Sequence, residues 1–195
     1  MRIHRRHQLP KLRLTDGVVV LRPPDKRDLD AIDRGINDPG VIRGFGSPAL
    51  SARELLALNR RRWRDGSGPT FAICDAGDEC VGHVFVNLGG AARGTVGYWL
   101  LPEARGRGLA TRAVRLISDW AFDEFGLARL QLLTEPSNEP SQRVAQRSGF
   151  EREGVLRSYT EIDGRRIDYV MYSRLSPRPP SRPRPVVRGG GGAAA

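Results

Sequence analysis

Leu100 to Thr111 reads LLPEARGRGLAT: an apolar strand end, a proline, and then two glycines set between arginines at the start of an amphipathic run. A helix leaves its first amides without internal partners and carries the positive end of its macrodipole there, so a glycine-rich turn at that place suits an anion. Gly106 and Gly108 lack the Cβ that would hold a ligand away from the main chain, and Arg105 and Arg107 add charge at the rim. The pattern points to a phosphate or pyrophosphate, with a purely structural strand-to-helix turn as the alternative. Two nucleotide motifs fail on residue type. No lysine followed by Ser or Thr stands after the last glycine, as a P-loop requires, and a G-x-G-x-x-G fingerprint meets Thr111 where its third small residue belongs. A flexible RNA-contacting RGRG segment is disfavoured by the strong helix it opens.

The other residues capable of chemistry are scattered. Cys74 and Cys80 flank DAGDE, a spacing that suits neither a four-ligand zinc site nor a disulfide framework, so both read as reduced thiols and no metal is expected. His83 stands alone on a strand, where a histidine is usually a packed or exposed bystander.

The elements that must position the glycine turn follow from hydrophobic period. Val18 to Leu21 reads as a first strand. Asp25 to Ile36 reads as a helix ended by Asn37-Asp38-Pro39-Gly40. Ser51 and Glu54 form a capping box for a helix to about Arg64, with Leu55, Leu58 and Arg62 on one face. Thr70 to Cys74 and Cys80 to Leu88 flank a turn and predict an antiparallel hairpin, followed by a strand from Thr95 to Leu101. Leu109 to Phe125 is the clearest helix, closed by Gly126. Arg129 to Thr134 is a strand, Ser141 to Ser148 a short helix, and Phe150 to Leu156 and Asp168 to Tyr172 are strands joined around Asp163-Gly164. A strand, helix, strand run through residues 95 to 134 demands a right-handed parallel crossover, while the rest is hairpins. The expected class is α/β: a mixed, mostly antiparallel central sheet flanked by helices.

Composition bounds the function. A chain of 195 residues with 39% hydrophobic content suits one domain. The net charge of +10 looks like a nucleic-acid signature until it is located. Nine of the 32 basic residues lie in segments 1–13 and 175–195, which hold no acid, whereas all 22 acidic residues lie between 14 and 174. The body is therefore nearly neutral. Arginine outnumbers lysine 30 to 2, so solvated basic ends are favoured over tails that contact a nucleic acid or a ribosome. The expected division is a basic extension over 1–13, a domain over 14–175, and a Pro/Arg/Gly-rich disordered tail over 176–195. No apolar run reaches the ~18 residues of a membrane span and no signal peptide is evident, so a cytoplasmic protein without a membrane partner is expected.

Arg105-x-x-Gly108-x-Ala110 after a strand resembles the R/Q-x-x-G-x-G/A motif of the GNAT N-acetyltransferases. The likeness continues through GYWLLPEARGRGLAT, Asn138-Glu-Pro-Ser141-Gln-Arg-Val-Ala, Ser148-Gly149-Phe150, Asp163-Gly164 and Asp168-Tyr-Val-Met-Tyr-Ser173, covering about residues 16 to 175 in order. It resembles the branch that acetylates ribosomal-protein N-termini and its many relatives. The resemblance implies acetyl-CoA as cofactor, its pyrophosphate on the main-chain N–H groups of Arg105, Gly106, Arg107, Gly108, Leu109, Ala110 and Thr111. It implies a bulge that splays the strand before the loop from its parallel neighbour, so that the pantetheine pairs with Leu100 and Leu101. It implies that Asn138 hydrogen-bonds the pantetheine and that Ser141 approaches the sulfur, where residue type alone suggests a helix cap and a surface hydroxyl. Leu100 N–H would then stabilise the oxyanion and Ser141 protonate the departing thiolate.

The acceptor would be a primary amine, on a small molecule or a protein N-terminus, attacking directly in a ternary complex once a base takes its proton. Relatives with a glutamate at the Thr95 position have a base that this chain lacks, which leaves Glu161, Glu135 and His83 as candidates. An acyl-enzyme through Cys74 or Cys80 has no partnering histidine nearby. The missing glutamate keeps open a catalytically weak acyl-CoA-binding module, and the basic ends a nucleic-acid-binding protein. The acceptor groove is assigned to the Ser51–Arg64 helix, the Asn37–Pro48 segment and the last hairpin. A homodimer is compatible with the sequence.

Overall fold

Thirteen regular elements form around one sheet in a computed structural model that describes residues 12–65, 67–90 and 92–177. Both basic ends, and with them the disordered-tail expectation, lie outside the described residues apart from the few nearest the domain. In chain order the elements are β1 (Leu14–Thr15), β2 (Val20–Arg22), α1 (Leu29–Ile36), α2 (Pro39–Phe45), α3 (Ala52–Asp65), β3 (Thr70–Cys74), β4 (Cys80–Gly89), β5 (Arg93–Leu100), α4 (Leu109–Phe125), β6 (Arg129–Thr134), α5 (Glu139–Arg147), β7 (Glu151–Ile162) and β8 (Arg165–Leu175). The sheet runs β1-β2-β3-β4-β5-β6-β8-β7. Every pair is antiparallel except β5 and β6, which the crossover helix α4 forces to be parallel.

The hydrophobic stripe of α4 decides which face it covers. Leu109, Ala113, Val114, Ile117, Ala121 and Phe122 are buried on it, against Phe71 and Ile73 of β3, Val84 and Val86 of β4, Val96 and Leu100 of β5 and Leu130 and Leu132 of β6. Each fully buried large side chain contributes about 1.5–3 kcal/mol. The opposite face is covered at its β2–β5 side by α1 and α2, where Ala31, Val41, Cys74, Cys80, Trp99 and Leu101 pack together. Gly35 allows this contact, since a Cβ there would stand 2.3 Å from the Trp99 ring. Strand β7, at the far edge of the sheet, is largely exposed.

Three local readings change in the structure. The first strand begins at Val20, two residues later than expected, because Asp16 accepts the Val18 and Val19 amides at 3.0 Å in a turn after the additional strand β1. Asn37-Asp38-Pro39-Gly40 ends α1 at Ile36 as expected, but its Asp38-Pro39 also starts a helix: Asp38 caps α2 by accepting the Val41 amide, with Pro39 in the first turn where its missing N–H costs nothing. The buried stripe of α3 is Ala52, Leu56 and Asn59, one residue out of phase with the Leu55, Leu58, Arg62 expectation. The Ser51–Glu54 capping box is present, with Ser51 N–H donating to Glu54 at 2.9 Å. Among the described residues no helix is long and apolar enough to cross a membrane.

Candidate functional site

Strands β5 and β6 pair only from Arg93↔Arg129 to Thr95↔Gln131. Gly94 permits this close end, since a Cβ there would stand 3.0 Å from both Leu130 and Val86. Beyond it β5 continues on β4 to Leu100 and β6 on β8 to Thr134, with no ladder between them. The expected splay is therefore there. The expected bulge is not: β5 keeps an unbroken register on β4 from Gly82↔Leu100 to Gly89↔Arg93, so the strands part by divergence alone.

The phase of the ladder selects which main-chain groups line the gap. Leu101 N–H donates to Val81 at 2.9 Å, and its carbonyl accepts from Ala104 at 3.0 Å. Leu101 is thus spent, contrary to the expectation that it pairs with a ligand. Antiparallel alternation turns the groups of Leu100 and Tyr98 the other way, towards the gap. Leu100 keeps its N–H there, while its carbonyl accepts from Arg105 Nε at 3.0 Å.

That last bond also revises the rim. Arg105 runs inward from the loop, with its guanidinium on Leu100 and on Asp38 Oδ1 at 2.5 Å, and so ties the glycine turn to the start of α2. Among the described residues Arg107 is exposed and has no ion pair, so it alone carries unmatched charge beside the turn. Gly106 and Gly108 both sit at positive φ, +76° and +77°, and a Cβ at either would meet nothing within 4 Å. Gly108 is the N-cap of α4 and no side chain caps the helix, which leaves the amides of Leu109, Ala110 and Thr111 facing open space. The cradle has the shape and the donors for a diphosphate.

Helix α5 stands beside this turn, held by Ser148 Oγ donating to the Thr111 carbonyl at 3.3 Å. Asn138 is its N-cap and accepts the Ser141 amide at 3.1 Å, the structural role that residue type suggested. The Ser141 hydroxyl lies 3.1 Å from the Tyr98 hydroxyl, across the gap. Burial raises the Tyr98 phenol above its ordinary value, more than the Ser141 bond lowers it, so it is a neutral donor at physiological pH. Tyr98 faces α4 and α5, and Trp99 the α1 side.

At the mouth of the gap two consecutive polar residues have a buried oxygen without a partner among the described residues: Thr134 Oγ1, at the end of β6 in phase with Leu130 and Leu132 of the α4 face, and Glu135 Oε1, just beyond the strand. Thr134 opposes Val170, so the next residue, Glu135, falls opposite Tyr169, and burial followed by the Glu135 charge raises the Tyr169 phenol. The last hairpin, β7–β8, reaches back to the segment after α2. Its register slips between Leu156 and Thr160, with Ser158 at φ +48° and its amide held by Asp168 at 2.7 Å. Its tip, Asp163-Gly164, accepts from the Ser47 amide and hydroxyl at 3.2 and 3.1 Å, just past α2. Ile162 lies against the Gly46 position, so alternation turns Glu161 to the other side of the ribbon, where it is exposed opposite Arg166. The hairpin therefore presents Ile162 inward and Glu161 to water.

The remaining candidates are core residues. His83 is 1% exposed, against Trp99 with ring centroids 4.9 Å apart, and burial lowers it to about 4. It is not placed to accept a substrate proton. Because the unfolded imidazole takes up a proton near pH 6.5 and the folded one only near 4, stability is full above about pH 6.5 and falls as pH drops towards 4. The loss reaches about 3 kcal/mol. Urea unfolding at pH 7.5 and 4.5 should show it, and His83→Gln should flatten the dependence. Cys74 and Cys80 are free and buried, their thiols pushed up to about 12 by that burial, which removes an acyl-cysteine route. A cleft of about 850 Å³ lies at the other edge of the sheet between β2 and α3, lined by Pro23, Arg53, Leu56 and Arg60.

Comparison with known proteins agrees with this geometry. A family model described as the acetyltransferase (GNAT) domain matches residues 19–151. The N-acetyltransferase p20 of Bacillus licheniformis is 29% identical over 164 residues, 80% of this chain and 92% of that protein. The spermidine N(1)-acetyltransferase of Escherichia coli K12 is 32% identical over 150 residues, 75% of this chain and 80% of that protein. Among solved structures, Mycobacterium smegmatis RimJ in complex with CoA-disulfide superposes with a TM-score of 0.73 at 27% identity, covering 85% of each chain.

Proposed function

Because the chain belongs to the GNAT family and is an acetyl-CoA-dependent N-acetyltransferase, we propose that its acceptor is the N-terminal α-amine of a protein or peptide. The observation that carries this reading is the unmatched Glu135 oxygen at the mouth of the gap. One carboxylate beside the Tyr169 ring suits a single cationic nitrogen with an apolar neighbour. An α-amine loses its proton near pH 7.7–8.0 and an alkyl ammonium near 10.4, so an α-amine needs about 3 kcal/mol less help at neutral pH. A lone carboxylate matches the smaller demand.

The chain's own residues divide the work. Acetyl-CoA, when bound, supplies an activated acetyl thioester. The open amides of α4 and the bare turns at Gly106 and Gly108 would hold its diphosphate, with Arg107 beside them and Arg105 bracing the loop. The free amide group of Asn138 and the gap-facing main chain of Tyr98 and Leu100 would hold the pantetheine arm. Glu135 orients the acceptor ammonium and takes its proton. Leu100 N–H would stabilise negative charge on the carbonyl oxygen. Ser141 gives a proton to the sulfur as the C–S bond breaks. The Ser51–Arg64 helix, assigned to the acceptor groove from sequence, packs on α1 and β3, and we assign the groove to α2, Phe85 and the last hairpin.

The test is thiol release from acetyl-CoA with spermidine and with tetrapeptides bearing N-terminal Ala, Ser or Met, products confirmed by mass. At least one peptide should exceed spermidine in kcat/KM by about tenfold or more, and preference for spermidine overturns the reading. Ser141→Ala should lower kcat about 10- to 100-fold with CoA affinity held within about twofold, as calorimetry would read. An unchanged kcat removes it from the mechanism.

A further inference from the structure

We propose that Tyr98 is a positioning residue that directs the Ser141 proton into the gap. The inference rests on the reading that Ser141 protonates the departing sulfur. Tyr98 sits on β5 beyond the last rung shared with β6, Thr95↔Gln131, so both its main chain and its side chain reach the parted region. Its hydroxyl is 3.1 Å from Ser141 Oγ, and among the described residues that is the partner of each hydroxyl on the gap side.

The direction of that bond follows from counting protons. Each hydroxyl carries one proton and can accept as well. If Ser141 donated to Tyr98, the phenol proton would be left without an acceptor in a shielded position, and the serine would have no proton to give. If Tyr98 donates, the phenol is satisfied, the serine rotamer is locked, and the Ser141 proton is free to point at the space between the strands. An unpaired donor in a shielded place costs about 1–3 kcal/mol, which selects the second arrangement. The phenol is held neutral by burial, which keeps it a donor across the working range.

The step balances without a further reagent. The nitrogen forms the N–C bond with its lone pair, the C–S bond breaks with both electrons passing to sulfur, and Ser141 delivers its proton there. Ser141 recovers a proton from those the nitrogen loses. Tyr98 is neither oxidised nor consumed; it keeps the serine oxygen in line and supports the charge that passes through it.

A double-mutant cycle with an independent spectroscopic reading tests this. Tyr98→Phe keeps the ring in the core and removes only the hydroxyl. With the best peptide acceptor, kcat should fall about 5- to 20-fold in the parent background and less than about twofold in the Ser141→Ala background, with the Kd for CoA held within about twofold. In the ligand-free protein, tyrosine labelled with ¹³C at Cζ should show one of the four phenols titrating at higher pH in Ser141→Ala than in the parent, because the bond to Ser141 lowers it. Equal kcat costs in the two backgrounds, or an unmoved titration, overturns the inference while leaving acetyl transfer intact. A parent that releases no thiol with any amine removes the reading of Ser141 and this inference with it.

Discussion

Gly108→Val should raise the Kd for CoA at least about 100-fold, some 2.7 kcal/mol, and should cost the free protein only about 1–2 kcal/mol of stability. Two separate penalties make up this result. The first is conformational: Gly108 sits at φ +77°, a region L-residues avoid, and the strain is present whether or not a ligand is bound. The second appears only on binding, because a Cβ there meets nothing within 4 Å in the ligand-free protein and would occupy the space into which the α4 amides point. Gly126→Ala separates the two. That glycine closes the same helix at φ +59°, also in open space, so it should show comparable strain with unchanged CoA affinity. Calorimetry for binding and urea unfolding for stability read both. Equal CoA affinity in Gly108→Val and parent would mean that the diphosphate lies elsewhere.

Glu135→Gln should lower kcat/KM for the best peptide acceptor about 100- to 1000-fold near neutral pH, the range expected for losing a general base. The substitution keeps size and shape and removes the charge. The deficit should narrow above about pH 8, where an α-amine is largely neutral without help, so the parent and variant profiles converge at high pH. Glu161→Gln, on the water-facing side of the hairpin, should stay within about twofold of the parent across the same range. The opposite ranking of the two variants would restore Glu161 as the base and displace Glu135.

Much of the fold was legible because it is written in short-range periodicity. Helix α4 and strand β6 occupy the residues that their apolar spacing predicts, and Gly126 sits at the left-handed cap it suggests. The Ser51–Glu54 box and the Asp163-Gly164 turn, with both residues at positive φ, were readable for the same reason: each is decided within four residues. The glycine cradle was legible too, since a positive φ and a missing Cβ are properties of the residue itself.

The acceptor side was not legible, because it depends on which way residues far apart in the chain are turned. Glu135 and Glu161 are equivalent as letters; the pairing Thr134↔Val170 turns one inward, and the contact of Ile162 at Gly46 turns the other out. Arg105 reads as rim charge until Asp38, 67 residues earlier, is found to hold it inward. His83 reads as a possible base until Trp99 closes over it. The Tyr98–Ser141 pair spans 43 residues and exists only because β5 and β6 part after three rungs. Sequence by itself determined the glycine turn at the start of α4, the parallel crossover and the family, since these rest on local backbone conformation and on ordered motifs. Tertiary structure alone decided the gap, the Tyr98–Ser141 hydroxyl pair beside it and the buried Glu135 oxygen at its mouth. Each of these requires the side-chain alternation of several strands to be brought into one register, and no single segment carries that information.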